Sequence, residues 1–435
     1  MRPLLDTAAM RAADAAAIAL VGSPALVRRA GVAVAQECRT LLGSLYGRRV
    51  VVVVGPGLNG ADGRVAAGWL ARRGARVEVV PVADQPAVLS GYDLVVDAAF
   101  GLGCSRPYHA PVADAPVVAV DLPSGVDADT GDLWGAPARA TLTVALGALK
   151  PAHVTGPAAD LAGRVVVHRL GIVPSSRDGV VEDADLAGYV SRADDDHKWR
   201  HAVVALVGSP LMPGAARLVA EGALAGGASM VRVASRADVT GLDLPAEVVR
   251  VATESIDPRA RAVVAGPGLG EGAAAWLAPI LARAPSPVVL DADGLDPTLV
   301  AARRPDGPTW VLTPHEGEFA RRAGRPVPPD RLGAARALAV ATGCVVLLKG
   351  PVTIVAAPDG TTRVVTSGTP ALATAGTGDV LAGLIAGALA RGHDPLEAAA
   401  LSAHLHGRAG ARLGPYAGAS ALPRLVGEVL ARRGR

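Results

Sequence analysis

Short runs of β-branched residues alternate with helical segments in two series along the chain, and this alternation restricts the possible folds more than any other feature. The first series begins at residue 49 and contains RVVVVVG, ARVEVVPV, YDLVVDAAFG, PVVAVDLPSG, TLTVALG and RVVVHRL. The second begins at residue 201 and contains HAVVALVGS, ASMVRVAS, AVVAGPGLG, PVVLDADG, TWVLTPHEGE and CVVLLKG. Strands that alternate with helices form parallel sheets covered by helices. The sequence therefore predicts an α/β protein with two doubly wound domains.

A polar, turn-rich segment separates the two series. It runs from about residue 174 to residue 196 and contains PSSRDGVVEDAD and most of SRADDDH, a composition typical of domain junctions. We therefore predict one domain over residues 1–185 and a second over residues 190–435. GPGL occurs in both, at 55–58 and 266–269, but its surroundings do not repeat, which indicates two different domains. The second series ends in VTIVAAPDGTTRVV, which predicts a hairpin.

Composition and charge exclude several classes of function. The net charge is +3 over 435 residues, the basic residues are scattered and aromatic residues are scarce, so no nucleic-acid partner is predicted. Cys38, Cys104 and Cys344 lie far apart without metal-ligand spacing, which indicates reduced thiols in a cytoplasmic protein. Asp6 and Asp14 fall among the apolar positions of the N-terminal segment, which predicts an amphipathic helix and not a signal peptide. No apolar run reaches the roughly 20 residues of a membrane helix, so we expect a soluble protein without a membrane partner.

The segment GPGLNGADG, residues 55–63, follows the first predicted strand and contains the pattern GxGxxG. Glu78 stands at the end of the next strand, as in dinucleotide-binding folds, so an NAD-dependent dehydrogenase is one open interpretation. The pattern alone is weak evidence, and Asp62 would place negative charge where a pyrophosphate should bind. Asn59 and Asp62 are more typical of a polar site than of a simple phosphate cradle.

Three further polar residues follow predicted strands of the first series. Asp97 lies in DAAFGLGCSRP, and Asp121 and Ser124 lie in DLPSGVD. The carboxyl ends of parallel strands meet at one edge of a sheet, so these residues and Asn59 could converge on one crevice. Each alone would more often be a cap or turn residue. Their combination favours a binding or catalytic site.

The stretch ATAGTGDVLAG, residues 373–383, places glycines and one carboxylate before a helical apolar run. Free N–H groups and the helix dipole make a helix N-terminus attractive to anions. Asp379 could be an ordinary N-cap or first-turn residue. Alternatively, it could take the proton from a hydroxyl that attacks a phosphoryl group held by Gly376–Gly378. Nothing matches the P-loop patterns GxxxxGKS or GxxxxGKT, so phosphate chemistry would need this other cradle.

Three more strand ends, all in the second series, carry candidate groups. These are Lys349 with Gly350 in LKGPVT, His315 with Glu316 in TPHEGE, and Asp291 with Asp293 in VVLDADGL. A lone histidine or lysine at such a place would more often be an ordinary loop residue. All of them, however, are predicted at the sheet edge from which the Asp379 helix should start, which favours one shared site.

GPGLNGADG, DAAFGLGCSRP and VAVDLPSGVDADTG, in this order and spacing, resemble the motifs of NAD(P)H-hydrate epimerase domains. The resemblance covers about residues 1–185 and implies a Rossmann-like three-layer sandwich. It implies a potassium ion held by Asn59, Asp97 and Ser124, and proton transfer by Asp121 during epimerisation of hydrated NAD(P)H. The implied substrate contacts, besides Asp121, are Leu58, Asn59, Gly60, Ala61, Asp62, Gly101, Leu102, Gly103, Cys104, Ser105, Arg106 and Pro107.

The first half departs from this family pattern in two segments. The family usually reads NNGGDG where this chain has LNGADG, so Leu58 and Ala61 replace one polar contact and one glycine. Val27 and Arg28 stand where the family usually has Met-Glu. An epimerase domain that has become a scaffold or binding module therefore stays open as an alternative.

HKWRHAVVALVGSPLMPGAA, GPGL, TPHEGEF, LKG and AGTGD, in this order, resemble ADP-dependent NAD(P)H-hydrate dehydratase domains, which have a ribokinase-like three-layer fold. The resemblance covers about residues 190–435, with Trp199 in place of a usual glycine. It implies contacts to the hydrated nicotinamide ring from Ala215, Gly268, His315 and Asp379. The implied nucleotide-binding residues are Lys349, Gly350, Pro351, Val352, Thr353, Gly376 and Gly378. Magnesium is expected at the phosphates of ADP, the implied phosphoryl donor.

The two resemblances together predict a bifunctional metabolite-repair enzyme. The first domain would interconvert the R and S hydrates, and the second would convert the S form to NAD(P)H, with Asp379 as base, while ADP becomes AMP and phosphate. The expected partners are these small molecules and further copies of the chain in a homo-oligomer. The main alternative is a ribokinase-like small-molecule kinase fused to an inactive nucleotide-binding domain. The sequence leaves open whether ADP or ATP is the phosphoryl donor, and whether NADH hydrate or NADPH hydrate is the preferred substrate.

Overall fold

The computed structural model describes residues 1–189, 196–236, 243–252, 256–414 and 416–432. The chain forms two compact units. One contains Arg2–Asp178 with Pro329–Arg331, and the other contains Gly179–Pro328 and the chain from Leu332 onward, together with Met1. Residues 190–195, which include the predicted start of the second domain, lie outside the described part of the chain.

The first unit is built on a six-stranded parallel sheet. In chain order its strands are β1 Arg49–Val54, β2 Arg76–Pro81, β3 Leu94–Ala98, β4 Val117–Val120, β5 Leu142–Leu146 and β6 Arg164–His168. Their order across the sheet is β6-β5-β4-β3-β1-β2, and all pairs are parallel. The helices are α1 Thr7–Val21, α2 Ser23–Leu42, α3 Leu58–Ala71 and α4 Gly156–Leu161. The predicted strands of the first series are confirmed.

The strand order of the first unit changes direction between β3 and β1, which is where doubly wound sheets bind ligands. Asp97 lies one residue before the end of β3, and Asp121 follows β4 directly. β1 leads through a glycine turn into α3. A Cβ atom on Gly60 would lie 2.0 Å from the carbonyl oxygen of Gly55, so α3 can begin this close to β1 only with glycine at position 60.

The second unit contains a larger mixed sheet. In chain order its strands are β7 Gly179–Val180, β8 Ala202–Leu206, β9 Met230–Ala234, β10 Val248–Arg250, β11 Ala262–Ala265, β12 Val288–Leu290, β13 Trp310–Leu312, β14 Val345–Leu348, β15 Thr353–Ala356 and β16 Thr362–Val365. Their order is β7-β16-β15-β14-β13-β12-β11-β8-β9-β10. The β14-β15 and β15-β16 pairs are antiparallel and the others parallel. The second strand series and the predicted hairpin are confirmed.

Helices cover this sheet. They are α5 Pro213–Ala225, α6 Ala273–Leu281, α7 Pro297–Ala301, α8 Glu316–Ala323, α9 Arg331–Thr342, α10 Thr377–Ala390, α11 Pro395–Gly410 and α12 Leu422–Ala431. Within the described ranges, no single helix combines the length and apolarity needed to cross a membrane. The α1–α2 pair meets that test only when both helices are joined, and they are bent by 112° at the break.

Four glycines let α10 and α5 contact each other backbone to backbone. Cβ atoms on Gly222, Gly226, Gly383 and Gly387 would each lie 2.2 to 2.5 Å from a carbonyl oxygen of the opposite helix. Every residue of α10 from Val380 to Ala390 is buried. The helix that carries Asp379 is therefore held tightly, since neither backbone can move without disturbing close-packed neighbours.

Replacing Gly383 by alanine should destabilise the second unit. We expect Gly383→Ala to lower its free energy of unfolding by about 2–3 kcal/mol, because the added methyl group would overlap the Val219 carbonyl. Gly427→Ala in α12 is the matched control, since a Cβ atom there meets nothing within 4 Å. It should be neutral or stabilising by up to about 1 kcal/mol. Denaturant unfolding followed by circular dichroism compares the two variants, and equal stabilities would contradict the packing.

Candidate active sites

In the first unit, Asp97 and Ser124 form a buried polar pair at the carboxyl edge of the sheet. Ser124 donates its hydroxyl to Asp97 Oδ1 at 2.5 Å and its backbone N–H to Oδ2 at 2.8 Å. The Ser124 hydroxyl oxygen also accepts the Phe100 N–H at 2.8 Å. Burial raises the pKa of Asp97, while the donors from Ser124 and the Ala99 N–H oppose that shift. The loop after β3 and the loop after β4 are thereby tied together.

Asn59 lies beside the same loop. A Cβ atom on Gly101 would be 3.1 Å from Asn59 Oδ1, so the glycine leaves room for the amide. The Nδ2 atom of Asn59 is buried and has no hydrogen-bond partner. Side-chain oxygen atoms of three residues therefore lie around Phe100–Gly101, those of Asn59, Asp97 and Ser124. Only one of the three side chains, that of Asp97, is a carboxylate. Such a set suits a hard monovalent cation. Within the described residues, no group of three or more His, Cys, Asp or Glu side chains is placed to hold a metal.

Asp121 is held in an unusual backbone conformation by a buried lysine and a histidine. Its φ of 66° lies in the left-handed region, which is rare for a residue with a side chain and frequent at functional sites. Its Oδ1 atom accepts the Leu146 N–H at 3.0 Å and forms an ion pair with Lys150 Nζ. Lys150 is 1% exposed and also donates to the Leu146 carbonyl at 2.7 Å. The charge of Asp121 is therefore paired inside the protein.

His153 supports Asp121 from the backbone side. Its Nδ1 atom accepts the Lys150 N–H at 2.9 Å, so the neutral ring carries its proton on Nε2 and donates it to the Asp121 carbonyl at 2.7 Å. Burial, together with the Lys150 charge, lowers the pKa of His153 to about 4, which keeps the ring neutral. Sequence reasoning missed Lys150 and His153. The rule that found Lys349 did not apply, because Lys349 directly follows β14 whereas Lys150 lies four residues after the end of β5.

Asp62 lies in the first two turns of α3 and is 6% exposed. Burial raises its pKa to about 8, and the Asp121 and Asp14 carboxylates add to the shift. The carboxyl is thus mostly protonated at pH 7. Burial among other acids makes the charged form of Asp62 costly, which weakens the expectation that this residue brings negative charge to the turn. Asp14 on α1 is a second neighbour that sequence reasoning missed.

The other predicted substrate contacts lie at the same edge with very different exposures. Leu58 is 59% exposed, Ala61 is half-buried, and Gly60 is buried against the turn after β1. In the loop after β3 the exposed residues are Gly103, Ser105, Arg106 and Pro107, and the half-buried ones are Gly101, Leu102 and Cys104. The Arg106 guanidinium lies 5.1 Å from the centre of the Phe100 ring. This loop borders the Asn59–Asp97–Ser124 group.

In the second unit, Asp379 lies in the first turn of α10. The N-cap is Gly376 in the left-handed conformation, with no side-chain cap, so Asp379 is a first-turn residue and not the cap. Burial raises the pKa of its carboxyl to about 7, with Asp291 and Asp293 adding to the shift and Lys349 opposing it. A carboxylate with this pKa is suited to accept a proton near neutral pH.

Lys349 and Asp291 form the floor of this site. Lys349 Nζ donates to Asp291 Oδ1 at 2.7 Å and lies 3.6 Å from Glu318 Oε2. Burial opposes the charged ammonium, but these carboxylates outweigh it and raise the pKa of Lys349. The Thr313 hydroxyl also donates to Asp291 Oδ1, at 2.8 Å. A Cβ atom on Gly378 would lie 3.6 Å from Lys349 Nζ, so the start of α10 covers the pair.

His315 caps helix α8. Its Nδ1 atom accepts the N–H groups of Gly317 at 2.9 Å and Glu318 at 3.3 Å, while Glu318 accepts the His315 N–H at 2.7 Å. This reciprocal pattern is a capping box. Because Nδ1 is an acceptor, a neutral ring presents its N–H at Nε2, and the side chain is 56% exposed. Glu318, which sequence reasoning passed over in favour of Glu316, is the residue joined to Lys349. The His-x-x-Glu spacing was the available signal.

The remaining predicted contacts flank this centre. A Cβ atom on Gly268 would lie 2.6 Å from the Ala215 Cβ, so the loop after β11 contacts the start of α5. The nucleotide segment, residues 349–353, forms the turn between β14 and β15, where the Thr353 hydroxyl donates to the Gly350 carbonyl at 3.4 Å. Pro351 and Val352 complete this turn, with Pro351 exposed. Three segments of the site thus lie where helices or strands begin or end. They are the first turn of α10, the 349–353 turn after β14 and the Gly268 loop after β11.

Comparison with known proteins finds relatives for both halves of the chain. The chain matches the family model for NAD(P)H-hydrate dehydratase over residues 203–432. It matches the model for the YjeF-related protein N-terminus over residues 23–90 and 81–152. A bifunctional NAD(P)H-hydrate repair enzyme of Mycobacterium tuberculosis H37Rv is 40% identical, with 92% of each chain covered. A repair enzyme of the same description from Mycobacterium leprae is 39% identical, with 94% of each chain covered.

Solved structures resemble the second unit. The ADP/ATP-dependent NAD(P)H-hydrate dehydratase of Bacillus subtilis, co-crystallised with ATP and magnesium, is 29% identical with a TM-score of 0.53, covering 58% of this chain and 97% of its own. A ribokinase-like superfamily protein of Enterococcus faecalis, 24% identical with a TM-score of 0.53, covers 60% of this chain and 98% of its own and supports the fold. The predicted Rossmann-like and ribokinase-like folds are thus confirmed. The chain belongs to the family of bifunctional NAD(P)H-hydrate repair enzymes.

Proposed function

We propose that this chain repairs hydrated NAD(P)H in two steps, with epimerisation of the R and S hydrates in the first unit and ADP-dependent dehydration of the S form in the second. The observation that carries the proposal is Asp379, a carboxyl group with a pKa of about 7 at the start of α10, beside the Lys349–Asp291 pair. A proton acceptor and an anion-attracting helix end are there combined in one place. The alternative of a small-molecule kinase has less support, since the two mycobacterial relatives match nearly the whole of this chain and are named as repair enzymes.

Dehydration would begin with proton removal. Asp379 takes the proton from the ring hydroxyl as that oxygen attacks the terminal phosphoryl group of ADP. The N–H groups of Gly376–Gly378 and the Lys349 ammonium stabilise the developing negative charge. The C–O bond to the new phosphate then breaks with electron push from the ring nitrogen. Release of a proton from the neighbouring ring carbon to solvent restores NAD(P)H, with AMP and phosphate as the other products.

The nucleotide would lie along the turn formed by residues 349–353 and against Gly378, where the absence of a side chain leaves the N-terminus of α10 open. The described residues hold no cluster of three acidic ligands, so magnesium would be bound mainly through the nucleotide phosphates and water. It would neutralise phosphate charge there. The solved Bacillus subtilis relative, co-crystallised with ATP and magnesium, supports this part of the proposal. ADP as the donor stays a prediction.

Epimerisation would use Asp121 as the proton-transfer group. Lys150 and His153 hold the carboxylate and its strained backbone in place, and Asp62 supplies a protonated carboxyl in the same site. Asn59, Asp97 and Ser124 would hold a potassium ion through their oxygens, and the ion would offset negative charge beside the bound substrate. The unpartnered Asn59 Nδ2 supports an acceptor group of the substrate at this place and not the ion itself, since a buried donor without an acceptor is costly.

Cytoplasmic location and a homo-oligomeric state stay predictions. The thiols of Cys38 and Cys344 are free and buried, which fits a reducing compartment. Light scattering on the purified chain measures the oligomeric state.

A mixture of R and S NADH hydrates tests both activities at once. With ADP, magnesium and potassium, we expect dihydronicotinamide absorbance to recover for the whole mixture faster than spontaneous epimerisation allows. Asn59→Ala should limit fast recovery to the S share, because it removes one ligand of the proposed cation site. Dehydration of pure S hydrate by the same variant is the internal control. Unchanged recovery with Asn59→Ala would favour a scaffold role for the first unit, and no recovery by the unaltered chain would overturn the proposed function.

Removing the Asp379 carboxylate should slow dehydration without abolishing nucleotide binding. We expect Asp379→Ala to reduce kcat for the S hydrate by about 10²–10⁴-fold, which is the usual contribution of a general base. The affinity for ADP, measured by calorimetry, should change little. Epimerisation by the same variant should stay normal and shows that the chain is folded. Near-normal dehydration would contradict the assignment.

The pH dependence of dehydration should report the Asp379 pKa. A base acts only when deprotonated, so kcat/KM should fall as the pH drops below about 7 and level off above it. Asp291→Asn removes a negative charge that raises the Asp379 pKa and that also offsets the positive charge of Lys349. Both effects favour the deprotonated form of Asp379, so the inflection should move to lower pH. Asp293, the other acid that raises this pKa, is unchanged in that variant. An inflection that stays in place would show that Asp291 does not influence the base.

A further inference from the structure

Three carboxyl groups lie near one lysine in the site of the first unit. Asp121 follows β4 and pairs with Lys150, Asp14 lies on α1, and Asp62 lies on α3. The charges of Asp14 and Asp121 act on Asp62, and that of Lys150 acts on Asp14. One positive charge therefore faces up to three negative ones. Such a group is favoured to keep a proton on one of its carboxyls at neutral pH.

Asp62 is buried without a hydrogen-bond partner for its side chain. Asp97 and Asp121, which are also buried, have donors from Ser124 and Lys150. Among the described residues, no group donates to the Asp62 carboxyl and no basic side chain pairs with it. Asp62 is 6% exposed, and neither of its carboxyl oxygens is among the unpartnered atoms that lack accessible surface, so a ligand can reach the carboxyl.

Within this group, the proton is held best on Asp62. Burial is the main cause that raises its pKa to about 8, and the charges of Asp121 and Asp14 add to the shift. Burial also raises the pKa of Asp14, but that residue is half-buried and the Lys150 charge opposes the shift. A carboxyl that keeps its proton near pH 7 and is accessible to a ligand can act as a general acid.

The proposed substrate has a hydroxyl group on a ring carbon beside the ring nitrogen. Its R and S forms can exchange by cleavage of the bond between that carbon and the oxygen. The nitrogen lone pair forms a C=N bond, the oxygen takes a proton and leaves as water, and water then adds to the other face of the ring. The second unit would break the same bond after phosphorylation. Without a nucleotide, the oxygen needs an acid to become a leaving group.

On the basis of the proposed function, we propose that Asp62 is the acid that protonates the departing hydroxyl group, and that Asp121 accepts a proton from the water that adds to the other face. β1, which leads into the Asp62 helix, and β4, which precedes Asp121, lie on either side of β3 in the sheet. Groups that approach from two sides suit the two faces of one ring. Each conversion moves one proton from Asp62 to Asp121, and exchange with solvent returns it.

Conversion of pure R hydrate to S hydrate by the full chain, followed by chromatography without ADP, isolates epimerisation from dehydration. We expect Asp62→Asn to lower kcat by about 10²–10⁴-fold, the usual contribution of a general acid, with KM nearly unchanged. Asp160→Asn in α4 is the matched control, because Asp160 is exposed. Its kcat should equal that of the unaltered chain. Dehydration of S hydrate with ADP by Asp62→Asn should stay normal, which shows that the variant is folded.

The pH dependence of epimerisation separates an acid from a structural residue. An acid acts only when protonated, so kcat/KM for the R hydrate should fall as the pH rises above about 8. Asp14→Asn removes one of the charges that raise the Asp62 pKa, so the inflection should move to lower pH. Asp121 and Lys150, the other charged members of the group, are unchanged in that variant. A rate that does not fall at alkaline pH would overturn the assignment.

Water labelled with ¹⁸O tests which bond breaks. If the hydroxyl group leaves and water adds, the S hydrate formed by the unaltered chain should contain the label in its ring hydroxyl, above the amount that spontaneous epimerisation introduces in the same time. Mass spectrometry of the separated epimers measures this. Retention of the original oxygen would overturn cleavage of the C–O bond and the role of Asp62 with it.

The remaining outcomes separate this inference from the proposed function. Normal epimerisation by Asp62→Asn would overturn the inference and leave the proposed function intact. An unaltered chain that does not epimerise the hydrate would overturn the proposed function of the first unit and the inference together. Asparagine has the same shape without a negative charge, so Asp62→Asn should melt no lower than the unaltered chain. A lower melting temperature with slowed dehydration would show a structural role and overturn the inference.

Discussion

The backbone contact between α10 and α5 is the constraint on which the second site depends. Glycines on both helices bring the chains so close that a single methyl group at Gly222 or Gly383 would meet a carbonyl oxygen. α10 is buried from Val380 onward, so its N-terminus cannot shift relative to the sheet. Asp379 and the Gly376–Gly378 backbone are consequently fixed above the Lys349–Asp291 pair. A rigid helix end of this kind provides a preorganised setting for transferring a phosphoryl group.

The two units solve a similar electrostatic problem in different ways. In the first, Lys150 pairs directly with Asp121, and the neighbouring Asp62 holds its proton with a pKa of about 8. In the second, Lys349 pairs with Asp291, and Asp379 is left with a pKa of about 7. Each site thus contains one carboxylate that a lysine contacts and another whose pKa is raised by burial. Acid and base roles can be divided between such groups at neutral pH.

Much of the layout could be read from the pattern of strands. The β-branched runs and the hairpin segment predicted the strands of both sheets except the edge strands β7 and β10. Polar residues that follow parallel strands share one sheet edge, and by this rule Asn59, Asp97 and Ser124 were expected together, where the structure places them. The partners of the key carboxylates were not visible. Lys150, His153 and Asp14 reach Asp121 and Asp62 from separate segments, and no local spacing links them. His315 was expected at the substrate, yet the structure also gives it a capping role that its sequence context did not single out.

By itself, the sequence determined which residues can form strands, which turns contain glycine, and which carboxylates stand at strand ends, because these follow from local periodicity and backbone freedom. Only the tertiary structure decided which carboxyl groups keep a proton and which are paired. Proton affinity depends on burial and on charges that approach from distant parts of the chain.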